Sequence, residues 1–454
     1  MAAQTLQLYL ERIQLDEPLR DARRTLLPVT LTPAIPDPAG MGFRGQGTPL
    51  DIEAFLDHFL PKEEQGPLVR HVAAAVVAPL GAGKSTLLQA LVWELAQRAL
   101  EDESGYAPLP FYLPLERMGE HVAGLLMSAL WRVGLPVSRH ALGDMLRDVG
   151  AGPTGHPGVR PRPLFFFLDP TGSFPTSGAA EALDGIIQEL ERQWPGCRWL
   201  VALRPEAAVA LPPSWHDRRF YLLDPLPAES ALSHLLRDLD KPLQELLEQL
   251  LEEVPALRTL IRRPLIAELL RVVATRFRES DGRRWVTELL LALLAQGAEG
   301  RVPKGGPVPT LPRVDALDTL YHLARGGEGG AMDGGSSSKV HESLMPLLAA
   351  GMVEQYATEG RTPSFRFTDS ALRELARWWA GADGMRNADS RMRNETAENA
   401  TDAAAVQSAL RTRVPARAGD SAIERLPADW DQIIVSQDLA RLAQLQQQLD
   451  QMRA

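Results

Sequence analysis

The stretch Ala78-Pro-Leu-Gly-Ala-Gly-Lys-Ser85 decides the fold of this chain. It lies between an apolar run, Val72-Ala-Ala-Ala-Val-Val77, and a long helical pattern that opens with Lys-Ser-Thr86. An apolar strand, a glycine-bearing turn and a helix beginning with Lys and Ser or Thr form the context that a phosphate-binding loop requires. The stretch departs from the usual pattern at Ala78, where a glycine normally stands. The sequence therefore predicts a P-loop, and with it a nucleotide site, in an α/β fold.

Each residue type in this loop has a physical reason. Gly81 and Gly83 allow the backbone to curl so that successive N–H groups face a phosphate, and the following helix adds the positive end of its dipole. Lys84 is expected to reach the β- and γ-phosphates, and the Ser85 hydroxyl to complete a Mg²⁺ shell. An ordinary glycine turn is the alternative, and it is disfavoured because Lys84 is one of only five lysines in the chain. The predicted nucleotide-binding residues of the loop are Ala78, Pro79, Leu80, Gly81, Ala82, Gly83, Lys84, Ser85 and Thr86.

Composition is typical of a soluble protein with several domains. The 454 residues are many for one hydrophobic core, and 45% hydrophobic with 23% charged residues is ordinary for a globular chain. A formal net charge of −10 disfavours nucleic-acid or anionic-membrane partners. Cys197 is the single cysteine, as expected in a reducing compartment. The N-terminus has neither the basic region nor the sustained apolar region of a signal peptide. Apolar runs are too short to span a bilayer. We therefore expect a cytoplasmic protein, and its arginine-, alanine- and leucine-rich composition suggests a GC-rich bacterial genome.

The hydrophobic patterns divide the chain into five segments. Residues 67–228 alternate apolar strands with helical patterns, as a parallel α/β sheet demands. Residues 1–66 hold two short helical patterns joined by a proline-rich connector, and we expect this lead-in to pack on the next domain. Residues 229–300 predict an all-α helical domain, and residues 301–382 predict the helices and strands of a winged-helix-like domain. Residues 383–454 form a low-order tail with a C-terminal helix. The predicted fold class is an α/β P-loop NTPase with a parallel sheet, followed by these two domains.

Two further strand ends carry residues suited to nucleotide chemistry. Leu164-Phe-Phe-Phe-Leu-Asp169 is an apolar strand ending in an acid that can hold Mg²⁺ together with Ser85, although an aspartate can also merely cap such a strand. Trp199-Leu-Val-Ala-Leu203 is followed by Arg204, at the strand end where ligands of open α/β sheets sit. Arg204 is therefore a candidate γ-phosphate sensor, the alternative being an arginine on a solvated strand end.

The segment after Asp169 lacks the second acid that hydrolysis requires. Hydrolytic P-loop proteins place a carboxylate within a few residues to polarise the attacking water. Here Asp169-Pro-Thr-Gly-Ser-Phe-Pro175 contains no other acid, and the next one is Glu181. The sequence thus supports nucleotide binding better than turnover and predicts slow or absent hydrolysis.

The order of these motifs resembles the NACHT-type NTPases of the STAND class of signal-transduction ATPases. The resemblance covers roughly residues 65–380 and implies ATP or ADP with Mg²⁺ as cofactors. It also implies that ADP holds the helical and winged-helix domains closed, whereas ATP releases them to oligomerise. The motifs that carry it are the P-loop, Pro110-Phe-Tyr-Leu-Pro-Leu115, Phe-Leu-Asp169, Ala-Leu-Arg-Pro205 and Asp224-Pro-Leu226.

Two motifs beyond the NTPase core belong to the same resemblance. Arg263-Pro264-Leu265, opening an apolar helix, looks like the family's proline motif, which implies that Pro264 packs near the adenine. Phe365-Arg-Phe-Thr-Asp-Ser-Ala-Leu-Arg-Glu374 resembles the winged-helix motif, where a histidine usually contacts the β-phosphate of ADP. Asp369 occupies that place. Because a carboxylate cannot donate to phosphate unless it is protonated, the resemblance gives Asp369 no such role.

The predicted function is a nucleotide-controlled switch in a bacterial defence or regulatory system. Its expected partners are other proteins or further copies of the chain in the ATP state. Three alternatives stay open. A pseudo-ATPase scaffold is favoured by the missing acid and by Asp369. A DNA-binding regulator would use the winged helix, which carries only scattered arginines. A small-molecule kinase would need an acceptor site that no motif indicates.

Overall fold

The computed structural model describes most of the chain up to residue 381. The predicted tail and C-terminal helix at 383–454 lie outside the described residues, as does the predicted linker from residue 300 to residue 312. The described ranges are 2–37, 42–59, 73–102, 107–115, 121–148, 163–170, 177–195, 197–209, 211–215, 218–278, 281–299, 313–325, 332–333, 344, 347–348, 350, 352–356 and 364–381.

The lead-in forms two helices, two strands and a third helix before the P-loop. One face of the first helix is buried because its apolar residues Leu6, Leu10 and Ile13 recur at helical spacing. The second helix begins after Asp16, whose carboxylate accepts a hydrogen bond from the Leu19 N–H and so caps it. The elements are α1 (Ala2–Leu15), α2 (Glu17–Thr25), β1 (Leu31–Pro36), β2 (Phe43–Gly45) and α3 (Ile52–Phe59).

The NTPase core alternates strands and helices as its sequence predicts. Its strands are mainly apolar, as is typical of strands that are covered on both faces of a sheet, and all residues from Leu164 to Leu168 are buried. The elements are β3 (Ala73–Val77), α4 (Lys84–Glu101), β4 (Leu109–Leu115), α5 (Val122–Arg132), α6 (Arg139–Asp148), β5 (Leu164–Pro170), α7 (Ser177–Gln193), β6 (Arg198–Leu203), α8 (Pro205–Val209) and β7 (Arg219–Leu223).

Seven strands form one mixed sheet in the order β2-β1-β7-β3-β6-β5-β4. The five strands of the NTPase core run parallel, which confirms the predicted parallel sheet. The predicted proline-rich connector is wrong in part, because it forms β1 and β2. Strand β1 pairs antiparallel with β2 on one side and with β7 on the other. Proline lacks an N–H donor, yet the Pro33 carbonyl accepts from the Gln46 N–H, and Leu31 and Ala34 beside it are buried. The lead-in therefore extends the NTPase sheet.

The remainder of the described chain is mainly helical and ends in a small sheet. A helix at Pro255–Leu260 was not anticipated in the sequence, because its single proline, Pro255, marks a turn as readily as a helix start. Strands β8, β10 and β9 pair antiparallel in that order and lie in sequence between two helices, while the predicted winged helix stays a prediction. The elements are α9 (Ala228–Leu236), α10 (Lys241–Glu253), α11 (Pro255–Leu260), α12 (Pro264–Arg276), α13 (Gly282–Glu299), α14 (Arg313–Arg325), β8 (Met332–Asp333), β9 (Val353–Tyr356), β10 (Ser364–Phe367) and α15 (Ser370–Gly381).

Two hydrophobic cores underlie these elements. The first contains buried residues from Leu6 to Leu223, so it joins the lead-in to the NTPase sheet. The second runs from Leu226 to Ala380 and takes buried residues from both the helical and the winged-helix segments. We refer to the described residues of 226–381 as the C-terminal unit. No helix in the described parts of the chain is long and apolar enough to cross a membrane.

Candidate nucleotide site

The P-loop lies at the carboxyl end of the central strand β3. Gly81 and Gly83 have φ values of +79° and +94°, a region in which side chains other than glycine are strained. Asp238 is the one non-glycine residue with positive φ in the described chain, so Ala78 does not need the freedom of a glycine. The Ala78 side chain is buried, and its N–H donates to the Leu203 carbonyl at 3.1 Å. Alanine is therefore accommodated where the usual motif has glycine.

The Lys84 side chain folds back over the loop that precedes it. Its Nζ donates to the carbonyl oxygens of Ala78 and Pro79, at 2.6 and 3.0 Å. An ammonium group has three donors and no acceptor, so these carbonyls hold it close to the turn between Gly81 and Gly83. The cation is thus positioned at the entry of α4, where the helix dipole also favours an anion.

Asp169 lies at the end of β5 and is nearly inaccessible to water, with 4% of its surface exposed. Its Oδ2 accepts a hydrogen bond from the Tyr112 hydroxyl at 2.6 Å, and Gln89 Nε2 donates to the same hydroxyl at 3.2 Å. Burial and the negative charge of Asp169 raise the pKa of Tyr112 well above its usual value, so the phenol stays a donor. Sequence analysis missed Tyr112 and Gln89, although Tyr112 stands within one of the quoted motifs.

Arg204 follows the strand that separates the P-loop from Asp169. Strand β6 lies between β3 and β5, and Leu203 pairs with Val77 of β3. Arg204 is half-buried, and its carbonyl accepts from the Ala208 N–H at the start of α8. The P-loop, Arg204 and Asp169 therefore leave three adjacent parallel strands at the same edge of the sheet. The structure brings the predicted strand-end residues together, as their order in the sequence implied.

The proline motif of the C-terminal unit contacts the P-loop directly. The Leu265 N–H, in the first turn of α12, donates to the Gly81 carbonyl at 3.2 Å. A Cβ placed on Gly83 would lie 4.0 Å from Pro264 Cγ, and one on Gly81 would lie 3.2 Å from Leu265 Cβ. The absence of side chains at these glycines lets α12 approach the loop. Pro264 thus lies against the turn of the P-loop, while its predicted contact with adenine stays a prediction.

Arg263, which is buried, and Asp369, which is partly buried, form an ion pair beside this contact. The two side chains are 9% and 17% exposed, and the guanidinium Nη2 contacts Asp369 Oδ2. Burial lowers the pKa of Arg263 to about 10. The Asp369 Oδ1 accepts from the Ala371 N–H at 2.6 Å and so caps α15. Asp369 thus has a partner in the proline motif, which sequence analysis did not anticipate because residues over one hundred positions apart give no local pattern.

These residues suit a nucleotide polyphosphate with Mg²⁺. The loop offers backbone N–H groups, and Lys84 offers a positive charge for phosphate oxygens. Ser85 and Asp169 offer the hydroxyl and the carboxylate for a cation that is otherwise held by phosphate and water. No cluster of three or more His, Cys, Asp or Glu side chains that could hold a metal occurs within the described ranges.

A comparison with protein families identifies the domain that contains these residues. Residues 75–242 match the family model described as the NACHT domain. This part of the chain is a NACHT-type P-loop NTPase. The NACHT domain begins within β3, ends within α10 and contains the P-loop, Asp169 and Arg204. It is therefore a nucleotide-binding module. Pro264 and Asp369 lie beyond its matched residues, so their roles depend on this structure alone.

Comparison with other proteins adds little about the rest of the chain. A search of curated proteins gives no match. The Aeropyrum pernix ORC1 protein, solved in complex with DNA, is 15% identical, with 68% of this chain and 86% of that chain covered and a TM-score of 0.30. CDC6P from Pyrobaculum aerophilum is also 15% identical, with 69% and 88% covered and a TM-score of 0.30. Likeness this low carries no argument about what this chain binds.

Proposed function

We propose that this NACHT chain is a nucleotide-controlled switch that binds ADP or ATP with Mg²⁺ and changes how its C-terminal unit docks on the P-loop. The observation that carries the proposal is the hydrogen bond from the Leu265 N–H to the Gly81 carbonyl. It joins the C-terminal unit to the turn whose neighbouring N–H groups would hold phosphate. Nucleotide binding and docking therefore use the same few residues.

A switch requires that the nucleotide interact unequally with the docked and released states, because a ligand shifts an equilibrium only by its differential affinity. Pro264 lies on the C-terminal unit and touches the loop only when docked. Arg204 lies on the NACHT domain, one residue beyond the strand paired with β3. A γ-phosphate would give Arg204 a partner that ADP lacks. These two residues can thus make ADP and ATP favour different states.

The Arg263–Asp369 pair extends the coupling to the winged-helix segment. Arg263 immediately precedes Pro264, and Asp369 caps α15. A displacement of α12 by nucleotide therefore acts on α15 through one buried charge pair as well as through the shared core. We infer that released C-terminal units bind protein partners or further copies of the chain, in a bacterial defence or regulatory system of the cytoplasm.

A scaffold that holds nucleotide without turnover is the second candidate. It is favoured by the stretch after Asp169, which contains no second acid before Glu181. The Tyr112 phenol bonded to Asp169 cannot replace that acid, because its raised pKa keeps it protonated. The two candidates differ in whether ATP and ADP produce different conformations, which hydrogen exchange can measure.

The test compares amide exchange of the Leu265 region with no nucleotide, with ADP and with ATP. The switch predicts stronger protection of Leu265 with ADP than with ATP, and Arg204→Ala should erase the difference while leaving ADP affinity nearly unchanged. Arg192→Ala, an exposed arginine on α7, is the matched control and should keep the difference. A parallel digestion of the Gly300–Pro312 linker should cut differently for the two nucleotides. Identical exchange and digestion in all three conditions would leave the scaffold as the function.

A further inference from the structure

A relay of three side chains connects the P-loop helix to the magnesium-associated acid. Gln89 lies on α4, the helix that Lys84 opens, and its amide donates to the Tyr112 hydroxyl. Tyr112 lies on β4 and donates to Asp169 on β5. The register pairs Tyr112 with Phe167, so Asp169 is the diagonal neighbour on the same face of the sheet. Three elements of the NACHT domain therefore meet through two hydrogen bonds.

The chemistry of the relay keeps Asp169 in one orientation. A carboxylate has two oxygens with about four acceptor sites, and Tyr112 uses one site on Oδ2. The Tyr112 hydroxyl donates to this oxygen and in turn accepts from the Gln89 amide, so both sides of the phenol are bonded. Among the described residues no hydrogen bond to Oδ1 is found, so this oxygen can accept from water molecules of a cation shell.

We propose that Tyr112 is a positioning residue that sets the Mg²⁺ dependence of nucleotide binding, and that Gln89 holds Tyr112 in place from the P-loop helix. The proposal rests on the nucleotide site proposed above. Tyr112 does not touch the nucleotide in this scheme. It acts by holding the Asp169 carboxylate toward the cation, so its loss should weaken Mg²⁺-supported binding and spare binding that needs no metal.

The experiment measures the affinity of a fluorescent ADP analogue in EDTA and across a Mg²⁺ titration, using the full chain. Tyr112→Phe removes the hydroxyl and keeps the ring. Hydrogen bonds to charged groups are strong enough that we expect the half-saturating Mg²⁺ concentration to rise on the order of tenfold. Affinity in EDTA should stay within about twofold of the parent chain.

Tyr9→Phe is the matched control. Tyr9 is buried, and its hydroxyl donates at 2.8 Å to the carbonyl of Pro110, which lies on the same strand as Tyr112 but away from Asp169. It should leave the Mg²⁺ dependence unchanged. Gln89→Leu keeps the Tyr112 phenol and removes the hydrogen bond that the Gln89 amide donates to it. It should therefore raise the half-saturating Mg²⁺ concentration by a smaller factor than Tyr112→Phe does. It also tests the relay if Tyr112→Phe does not fold.

The outcomes distinguish a failure of the proposed relay from a failure of the proposed nucleotide site. Failure of the parent chain to bind the ADP analogue in either condition refutes the nucleotide site, and the relay with it. Normal binding by the parent chain, with an unchanged Mg²⁺ titration in both Tyr112→Phe and Gln89→Leu, refutes the relay alone. An equal shift in Tyr9→Phe also refutes it, because the effect would then come from the packing of β4.

Discussion

Asp369→Asn tests whether a buried charge pair holds the C-terminal unit together beside the P-loop. The substitution removes the negative charge and retains a side-chain oxygen that can accept from the Ala371 N–H, so the cap on α15 survives. The substitution does remove the negatively charged partner of the Arg263 guanidinium. Alanine would remove both interactions and confuse the two contributions.

The magnitude follows from the burial of the pair. Removing one partner of a buried ion pair costs about 3–5 kcal/mol, because the other charge stays buried and unpaired. The 9% and 17% exposure of the two side chains gives water partial access. We therefore expect a loss of roughly 2–3 kcal/mol in the local opening free energy of α15, below the range for complete burial. In populations this is about 30- to 150-fold.

The assay is native-state hydrogen exchange of the first turn of α15, in a double-mutant cycle with Arg263→Met. The double variant replaces the ion pair by neutral groups and should lose no more stability than either single variant. The control is Asp240→Asn. Asp240 also caps a helix and pairs with an arginine, Arg278, but these side chains are 46% and 58% exposed. Its substitution should cost under about 1 kcal/mol.

Two results would refute this reasoning. One is an opening free energy for Asp369→Asn within about 0.5 kcal/mol of its value in the parent chain, since a change that small is the norm at a surface site. The other is additivity in the double variant, because additive effects mean that the two residues act independently.

Two further predictions concern the P-loop and turnover. Lys84→Ala should abolish the thermal stabilisation that ADP and ATP give, because the charge-assisted bonds to phosphate are lost. The control Lys241→Ala, at an exposed helix start, should leave this stabilisation intact. Undiminished stabilisation in Lys84→Ala would overturn the nucleotide site. Steady-state hydrolysis of ATP should be slow or undetectable, because a positioned base typically contributes about 10²–10⁴-fold and the sequence offers none after Asp169. Brisk turnover that Asp169→Ala abolishes would contradict this and direct attention to Glu116 or Glu206 as the base.

The NTPase sheet could be predicted from sequence because each of its strands gives a local signal. The run from Leu164 to Leu168 is apolar throughout, which is typical of a short strand covered on both faces. The strands of the lead-in gave no such signal. Pro33 and Pro36 suggested a connector, and only pairing with β7, which is nearly two hundred residues away, makes this segment a strand.

The same contrast applies to the site. The P-loop, Asp169 and Arg204 could be placed from sequence, because strand ends of a parallel sheet converge at one edge. Tyr112 could not, since its role depends on the register between β4 and β5. The pairing of Arg263 with Asp369 depends on how α12 and α15 pack, and an ion pair across such a separation has no periodicity to reveal it.

The segment Asp224-Pro-Leu226 joins the two hydrophobic cores and is anchored to both. Asp224 accepts from the hydroxyls of Thr30 and Thr32 in the lead-in. On the other side, the Leu226 carbonyl accepts from Arg262 Nε, and the Leu226 N–H donates to the Arg262 carbonyl. Because the helical and winged-helix segments share one core, a rotation about this joint would carry both of them together. Arg262 adjoins the proline motif, so the joint and the contact on the P-loop lie at neighbouring residues. In the proposed switch, a small displacement of Pro264 would therefore become a larger one at the far end of the C-terminal unit.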